Sequence, residues 1–287
     1  MNIYKVPNGI YKLGGDLKIN RVGYGAMRIT GPMLSGMPED QQNAIDVLRR
    51  AVELGVNFID TADAYGPFVS EQLIAKALYP YKHNLTIGTK GGLVRFGAHV
   101  DFNHDASPQH LHDALDGCLK RLKLDQIDLY QLHRIDPKVP AEITFEFLAK
   151  AQQEGKIRHL GLSEVSVEDI KLAQQYFEVA SVQNRYSILD RKWETVLNYT
   201  VSEKIAFIPW FPIGGGTTSK SSALQQIAVD KGVTTHQLAL SWLLHRADNI
   251  LLIPGTSNIA HLEQNMQCIE IQLSNEEMTN LNTISEM

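Results

Sequence analysis

Apolar residues along this chain follow two alternating rhythms. Short, near-continuous apolar runs cover 21–25, 56–60, 85–90, 127–133, 157–163, 180–184, 205–210 and 250–254. Between them stand longer segments whose apolar positions recur every three or four residues, the period of a helix with one buried face. Ile45, Leu48 and Val52 form one such stripe, and Gly55 stands where that helix would stop. Ser107 and Pro108 read as an N-cap and first helical residue, followed by Leu111, Leu115, Leu119 and Leu122 on one face. Ile143 and Phe147 form a further stripe leading to Gly155, and Ser166 with Asp169 starts another helix. Ser274 with Glu277 has the spacing of a capping box near the C-terminal end.

Eight strand–helix units predict an α/β protein, a closed parallel (β/α)8 TIM barrel, as a single domain over 1–287. The runs do not alternate apolar with polar, as expected of strands buried on both faces. The rival, an open doubly wound sheet, carries a glycine-rich phosphate turn after its first strand. Here Gly23 and Gly25 are followed by Arg28 where the third glycine belongs. The segment 4–20, with its Gly14-Gly15-Asp16 turn, predicts an N-terminal β-hairpin across the barrel floor. A C-terminal helical extension follows the last barrel unit.

Composition narrows the function classes. With a net charge of −5 and a pI near 6.1, the chain lacks the basic field that recruits nucleic acid or an anionic membrane. The N-terminal stretch has no signal-peptide core, and no run approaches the roughly 20 apolar residues of a membrane span. Cys118 and Cys268 each fall inside a helical pattern and read as small core residues, so a reducing, cytoplasmic location is expected. No metal site is expected, because HExxH and CxxC spacings are absent. Ser163 lacks the closing glycine of a nucleophile elbow, having Val165 two residues on.

The strand ends carry the chemistry. In a barrel, reacting groups sit where strands end and βα loops begin. Run two ends on Asp60, run three on Lys90 and run four on His133, and Tyr65 stands five residues past Asp60, ahead of Gly66-Pro67. Singly, these are a turn cap, a solvated lysine, a core histidine and a loop tyrosine. At adjacent strand ends they are a set. A free phenol has a pKa of about 10, which a nearby ammonium lowers. A buried ammonium needs a counter-charge, which Asp60 supplies. His133 adds a hydrogen bond to a carbonyl oxygen or to the phenol. The set suits protonation of a developing alkoxide. Side chains cannot deliver hydride, so the chemistry implies a nicotinamide cofactor.

FIDTADAYG, the pair Thr89-Lys90, DLYQLH, IRHLGLSE, VQNRYS, WFPIGGG and IPGTSNIAHLEQN together resemble the aldo-keto reductases, over nearly the whole chain. The resemblance implies a barrel that binds NADP(H) extended across its C-terminal rim. It implies a catalytic tetrad at Asp60, Tyr65, Lys90 and His133, with Tyr65 as general acid in reduction and general base in oxidation. Met27 and Asp60 would also border the cofactor. Ser163, Gln183 and Glu164, where family members often have Asn, would meet the nicotinamide carboxamide, and Trp210 would stack on the ring. Phe211, Pro212, Ile213, Gly214 and Gly216 would follow the pyrophosphate. Gly255, Thr256, Ser257 and Asn258 would hold the 2′-phosphate, and Gln264 and Asn265 the adenine. His261 stands where many members have Arg, so charge grips that phosphate less and NAD(H) use stays open beside NADP(H). Lys220 reads as a solvated lysine.

The substrate pocket is expected to include Tyr24, Met27, Arg28, Tyr65, His133 and Ile135, with the insertions 29–38 and 91–106. The sequence around Gly31-Pro32 resembles a bacterial branch that includes pyridoxal reductases. The expected activity is NADPH-dependent reduction of aldehydes or ketones to alcohols, with pyridoxal as one substrate. The alternative is a nicotinamide-binding regulatory protein or redox sensor with slow or no turnover. The expected partner is a small-molecule carbonyl compound, and the expected state a monomer or weak homo-oligomer.

Overall fold

Seven parallel strands, consecutive in the chain and neighbours in space, make one curled sheet: β1 (Tyr24–Gly25), β2 (Phe58–Asp60), β3 (Thr86–Gly91), β4 (Ile127–Leu132), β5 (Ile157–Ser163), β6 (Val179–Gln183) and β7 (Ala206–Phe207). The computed structural model describes residues 3–4, 9–95, 102–216, 218 and 221–284. The eighth apolar run forms no full strand. It joins both sheet edges through single bridges, Val22 with Leu252 and Phe207 with Ile250. Four backbone bonds of 2.8–2.9 Å, among them Leu252 N to the Arg21 carbonyl and Leu251 N to the Phe207 carbonyl, close the barrel there. Pro254 has no N–H to extend that ladder. The first and last runs also approach at Gly25 and Gly255, where a Cβ on either would lie 2.6 Å from a backbone oxygen of the other run.

Arg21 lies buried in this seam. Its guanidinium donates to the carbonyls of Leu244 (2.9 Å), Ala247 (2.6 Å) and Ile250 (3.1 Å). One cation thereby ties the C-terminal end of a helix and the eighth run to the first.

The barrel is layered. Leu13 and Ile19, from the hairpin strands Ile10–Leu13 and Leu17–Asn20, cluster with Phe58, Leu129, Ile208 and Leu251 and plug the floor. The predicted hairpin is shorter than 4–20. Ile3–Tyr4 instead pairs antiparallel with Leu273–Ser274, beside the C-terminal helix. A second, larger apolar cluster lies between the strands and the helices outside them.

Those helices are α1 (Gln41–Glu53), α2 (Val69–Leu78), α3 (Pro108–Leu122), α4 (Ala141–Gln153), α5 (Val167–Ala173), α6 (Glu194–Ser202), α7 (Ser222–Lys231), α8 (Thr235–Arg246), α9 (Ile259–Met266) and α10 (Asn275–Thr283). The caps read from sequence form: Ser107 accepts from His110 N, and Ser166/Asp169 and Ser274/Glu277 are complete capping boxes. The stripe assigned to α4 is displaced. Its core face is Thr144, Phe145, Leu148 and Ala151, and Ile143 is 45 % exposed. Thr144 joins the core by donating to the Ala106 carbonyl at 2.9 Å, so a residue counted as polar belongs to the buried face. Cys118 and Cys268 are free and buried.

Candidate active site

Above the apolar floor the barrel interior turns polar, and Asp60 is its centre. Lys90 Nζ donates to Asp60 Oδ1 at 2.6 Å. The other carboxylate oxygen accepts from Gln183 Nε2 at 2.8 Å and Gln131 Nε2 at 3.2 Å. Lys90 is fully enclosed, and its two further acceptors are the Thr61 carbonyl at 2.7 Å and the Tyr65 hydroxyl at 3.5 Å. All three ammonium protons thus have acceptors, which a buried cation requires.

The loop carrying Tyr65 continues the strand pairing before it turns. Thr61 N donates to the Gly88 carbonyl and Asp63 N to the Lys90 carbonyl. Gly66 follows in the left-handed region (φ 89°), where an added Cβ would meet Val69 Cβ at 2.6 Å. Phe68, also left-handed at φ 68°, precedes Val69, so α2 starts two residues after Pro67.

The electrostatics keep each group in a defined state. Burial disfavours the Lys90 cation, but Asp60 and Tyr65 together outweigh it and Lys90 stays above its ordinary pKa. Burial pushes the Tyr65 phenol up, with the Lys90 ammonium pulling against it. The sequence led us to expect a net lowering; burial wins, and the phenol stays protonated. His133 is pushed well below its ordinary value by burial, then by the Lys90 and Arg134 cations, so its imidazole is neutral. Its ring meets that of Tyr65 edge-on at 5.9 Å. His133 Nδ1 is buried without a partner.

These groups open onto a cavity of about 420 Å³. Asp60, Tyr65 and His133 line it, as do Met27, Arg28 and Gly255. Ser163, Gln183, Trp210, Phe211, Pro212 and Ile213 line it as well. Leu34, Leu93 and Phe102, from the two insertions, add an apolar wall. Arg95 ties those insertions together by donating to the carbonyls of Met33 and Leu34.

Several expected contacts lie elsewhere. Tyr24 is enclosed, and its hydroxyl donates to the Thr256 carbonyl at 2.5 Å, so it supports the 253–256 segment instead of lining the pocket. Glu164 does not face the cavity. It is left-handed (φ 56°), and Oε1 accepts from Trp210 Nε1 at 2.6 Å and Arg185 N at 2.5 Å. In the 3₁₀ turn Gly214–Gly216, the glycine on the cavity wall is Gly215. Ile135 is half-buried and absent from the lining. Thr256, Ser257 and Asn258 lead into α9 beyond the cavity, where Asn258 accepts from His261 N as N-cap. His261 and Gln264 are exposed and Asn265 is buried. Lys220 lies outside the described residues. The sequence reading did not single out Gln131, which donates to Asp60, or Arg134, which lines the cavity. Gln131 is a polar residue amid a buried strand, an informative break in the pattern. Arg134 directly follows His133 at the same strand end. Among the described residues no group of three potential metal ligands occurs.

Residues 21–286 match the aldo/keto reductase family, and the chain belongs to it. It is 50 % identical over 263 residues to an uncharacterised oxidoreductase of Schizosaccharomyces pombe, covering 91 % of this chain and 85 % of that protein. It is 43 % identical over 277 residues to pyridoxine 4-dehydrogenase of Escherichia coli, covering 94 % and 96 %. The solved structure of a glycerol dehydrogenase from Gluconobacter oxydans shares the fold, with a TM-score of 0.88 at 24 % identity over 96 % of this chain and 94 % of that one.

Proposed function

We propose that the protein reduces aldehydes and ketones to alcohols with NADP(H), reversibly, and that pyridoxal is among its substrates. The observation that carries this reading is the Tyr65 hydroxyl on the cavity wall, backed by the enclosed Lys90–Asp60 pair. The pyridoxal assignment rests on the 43 %-identical relative named pyridoxine 4-dehydrogenase.

The residues present fit a nicotinamide cofactor, the cofactor type of this family. The Trp210 ring offers a flat face beside the Ser163 hydroxyl and the Gln183 amide, which suits a ring bearing a carboxamide. The turn at 211–215 and the N-terminal turn of α9 bring backbone N–H groups to the rim, where phosphates bind. When bound, NADPH supplies the hydride that becomes the new C–H bond. Tyr65 gives its phenolic proton to the carbonyl oxygen as negative charge builds there. Lys90 stabilises the phenolate left behind, and Asp60 keeps Lys90 charged. His133, neutral, offers an N–H to the same oxygen without adding charge. Solvent returns the proton to Tyr65.

The test is NADPH oxidation over an aldehyde panel including pyridoxal, repeated with NADH. Multiple turnover is expected, and Tyr65→Phe should lose it by roughly 10³-fold or more while still binding NADPH. Oxidation that stops at one equivalent favours a sensor, and full turnover by Tyr65→Phe sinks the assignment.

A further inference from the structure

One charged group in the cavity takes no part in the reaction described above. Arg134 lines the wall beside Tyr65, His133 and Ser163. Its Nη1 donates to the His133 carbonyl at 2.5 Å and to the Ser163 hydroxyl at 2.9 Å. Both acceptors are neutral, and Arg134 forms no ion pair among the described residues. Nε and Nη2 make no hydrogen bond there either. Yet the guanidinium is largely out of water, and that burial pulls its pKa below the ordinary value.

Among the described residues no carboxylate contacts it directly. Asp60, the only carboxylate among the described residues of the cavity wall, is committed to Lys90, and that pair cancels. His133 is uncharged. Glu164 lies close enough to favour the Arg134 cation electrostatically but makes no ion pair or hydrogen bond with it, its Oε1 accepting from the Trp210 indole and the Arg185 backbone. Arg28 adds a second, exposed cation on the cavity wall. The wall therefore carries net positive charge within reach of the reacting hydroxyl, whose proton affinity Arg134 lowers. A largely desolvated guanidinium with free donors is stabilised most by an arriving carboxylate or phenolate, which it binds as a two-pronged fork.

We propose that Arg134 is the anion receptor of this site, and that its preferred substrates are aldehydes carrying an ionised oxygen, phenolate or carboxylate, close to the reacting carbonyl. This rests on the reductase reading and names its substrate class. The anion would dock on the free Nε–Nη2 edge and turn the carbonyl towards Tyr65 and His133. Aryl aldehydes with an acidic hydroxyl on the neighbouring ring carbon have that shape.

Matched substrate pairs test it. We would compare 3-carboxybenzaldehyde with its methyl ester, and 2-hydroxy-5-nitrobenzaldehyde, ionised at neutral pH, with its 2-methoxy analogue. The wild-type protein should prefer the anionic member of each pair by about tenfold or more in kcat/KM, the scale of one charge-assisted hydrogen bond. Arg134→Gln should collapse that ratio towards one, chiefly through KM of the anionic member, and Arg134→Lys should keep part of it. Should Arg134→Gln fail to fold, inhibition of the wild-type protein decides: benzoate should compete with the aldehyde and benzamide should not. An unchanged ratio in Arg134→Gln with weaker NADPH binding would make Arg134 a support for Ser163 and overturn the proposal. So would absence of any anion preference together with absence of benzoate inhibition. Turnover of neutral aldehydes without that preference defeats this proposal alone, whereas no turnover of any aldehyde defeats the reductase reading.

Discussion

The indole N–H of Trp210 donates to Glu164 Oε1 at 2.6 Å, across two strand ends. The aromatic wall of the cavity is therefore held by a carboxylate that does not face the cavity. Glu164→Ala should release the ring and weaken NADPH binding about tenfold, the worth of a hydrogen bond to a charged acceptor. Glu164→Gln keeps an oxygen acceptor and should recover most of the affinity. Titration of NADPH against the protein's tryptophan emission reads both, and unaltered affinity in Glu164→Ala would refute the clamp.

Breaking the Lys90–Asp60 pair should cost stability as well as turnover. Lys90→Met leaves a buried carboxylate with only two amide donors, from Gln131 and Gln183. Loss of one partner of a buried ion pair costs about 3–5 kcal/mol. Denaturant unfolding should show that loss, and adding Asp60→Asn to Lys90→Met should restore much of it without restoring activity. A double variant no more stable than Lys90→Met contradicts this.

Asp63, between Asp60 and Tyr65, is buried with Oδ1 unpartnered. Burial, and then the negative charge of Glu71, push its carboxyl up to about 8, with Arg121 opposing. The folded state therefore holds a proton that the unfolded chain releases near pH 3.8. Its contribution to stability is full below that value and is lost as pH rises towards 8, by at most about 1.4 kcal/mol per pH unit. Asp63→Asn removes this loss. Its stability relative to wild type should climb from pH 5 to pH 8 and level off above; a gap that does not vary with pH would count against it.

Arg21 holds the barrel seam. Arg21→Met removes the donor to the Leu244, Ala247 and Ile250 carbonyls, and only Ala247 keeps another, the Ile250 N–H. A loss of about 3–5 kcal/mol is expected, with kcat preserved at temperatures where the variant is folded. Unchanged thermal stability would show that the backbone bridges alone keep the barrel shut.

The rim chemistry was legible because each tetrad member ends, or closely follows, an apolar run, and strand ends are where barrel sites lie. Asp60, Lys90 and His133 needed only that rule. What escaped is set by three-dimensional partners. The eighth run looks like a strand in sequence, but Pro254 and its length limit it to bridges. Glu164 looked like a cofactor ligand until its backbone was seen to turn left-handed towards Trp210. Arg134 resembles any solvated arginine after a strand, and only the missing counter-ion marks it. Thr144 hides its burial because its partner, the Ala106 carbonyl, lies far off in the chain.

Asp60 accepts from β3, β4 and β6 while belonging to β2. A slip of one residue in any of those strands would swing its inward side chain outward. The misaligned barrel would then enclose an ion without its full set of donors, a far heavier fault than a lost apolar contact. The carboxylate thus acts as an assembly check, admitting a single alignment of four strands. Mutations that alter this centre jeopardise folding first, so new substrate preferences are free to arise only in the loops above it.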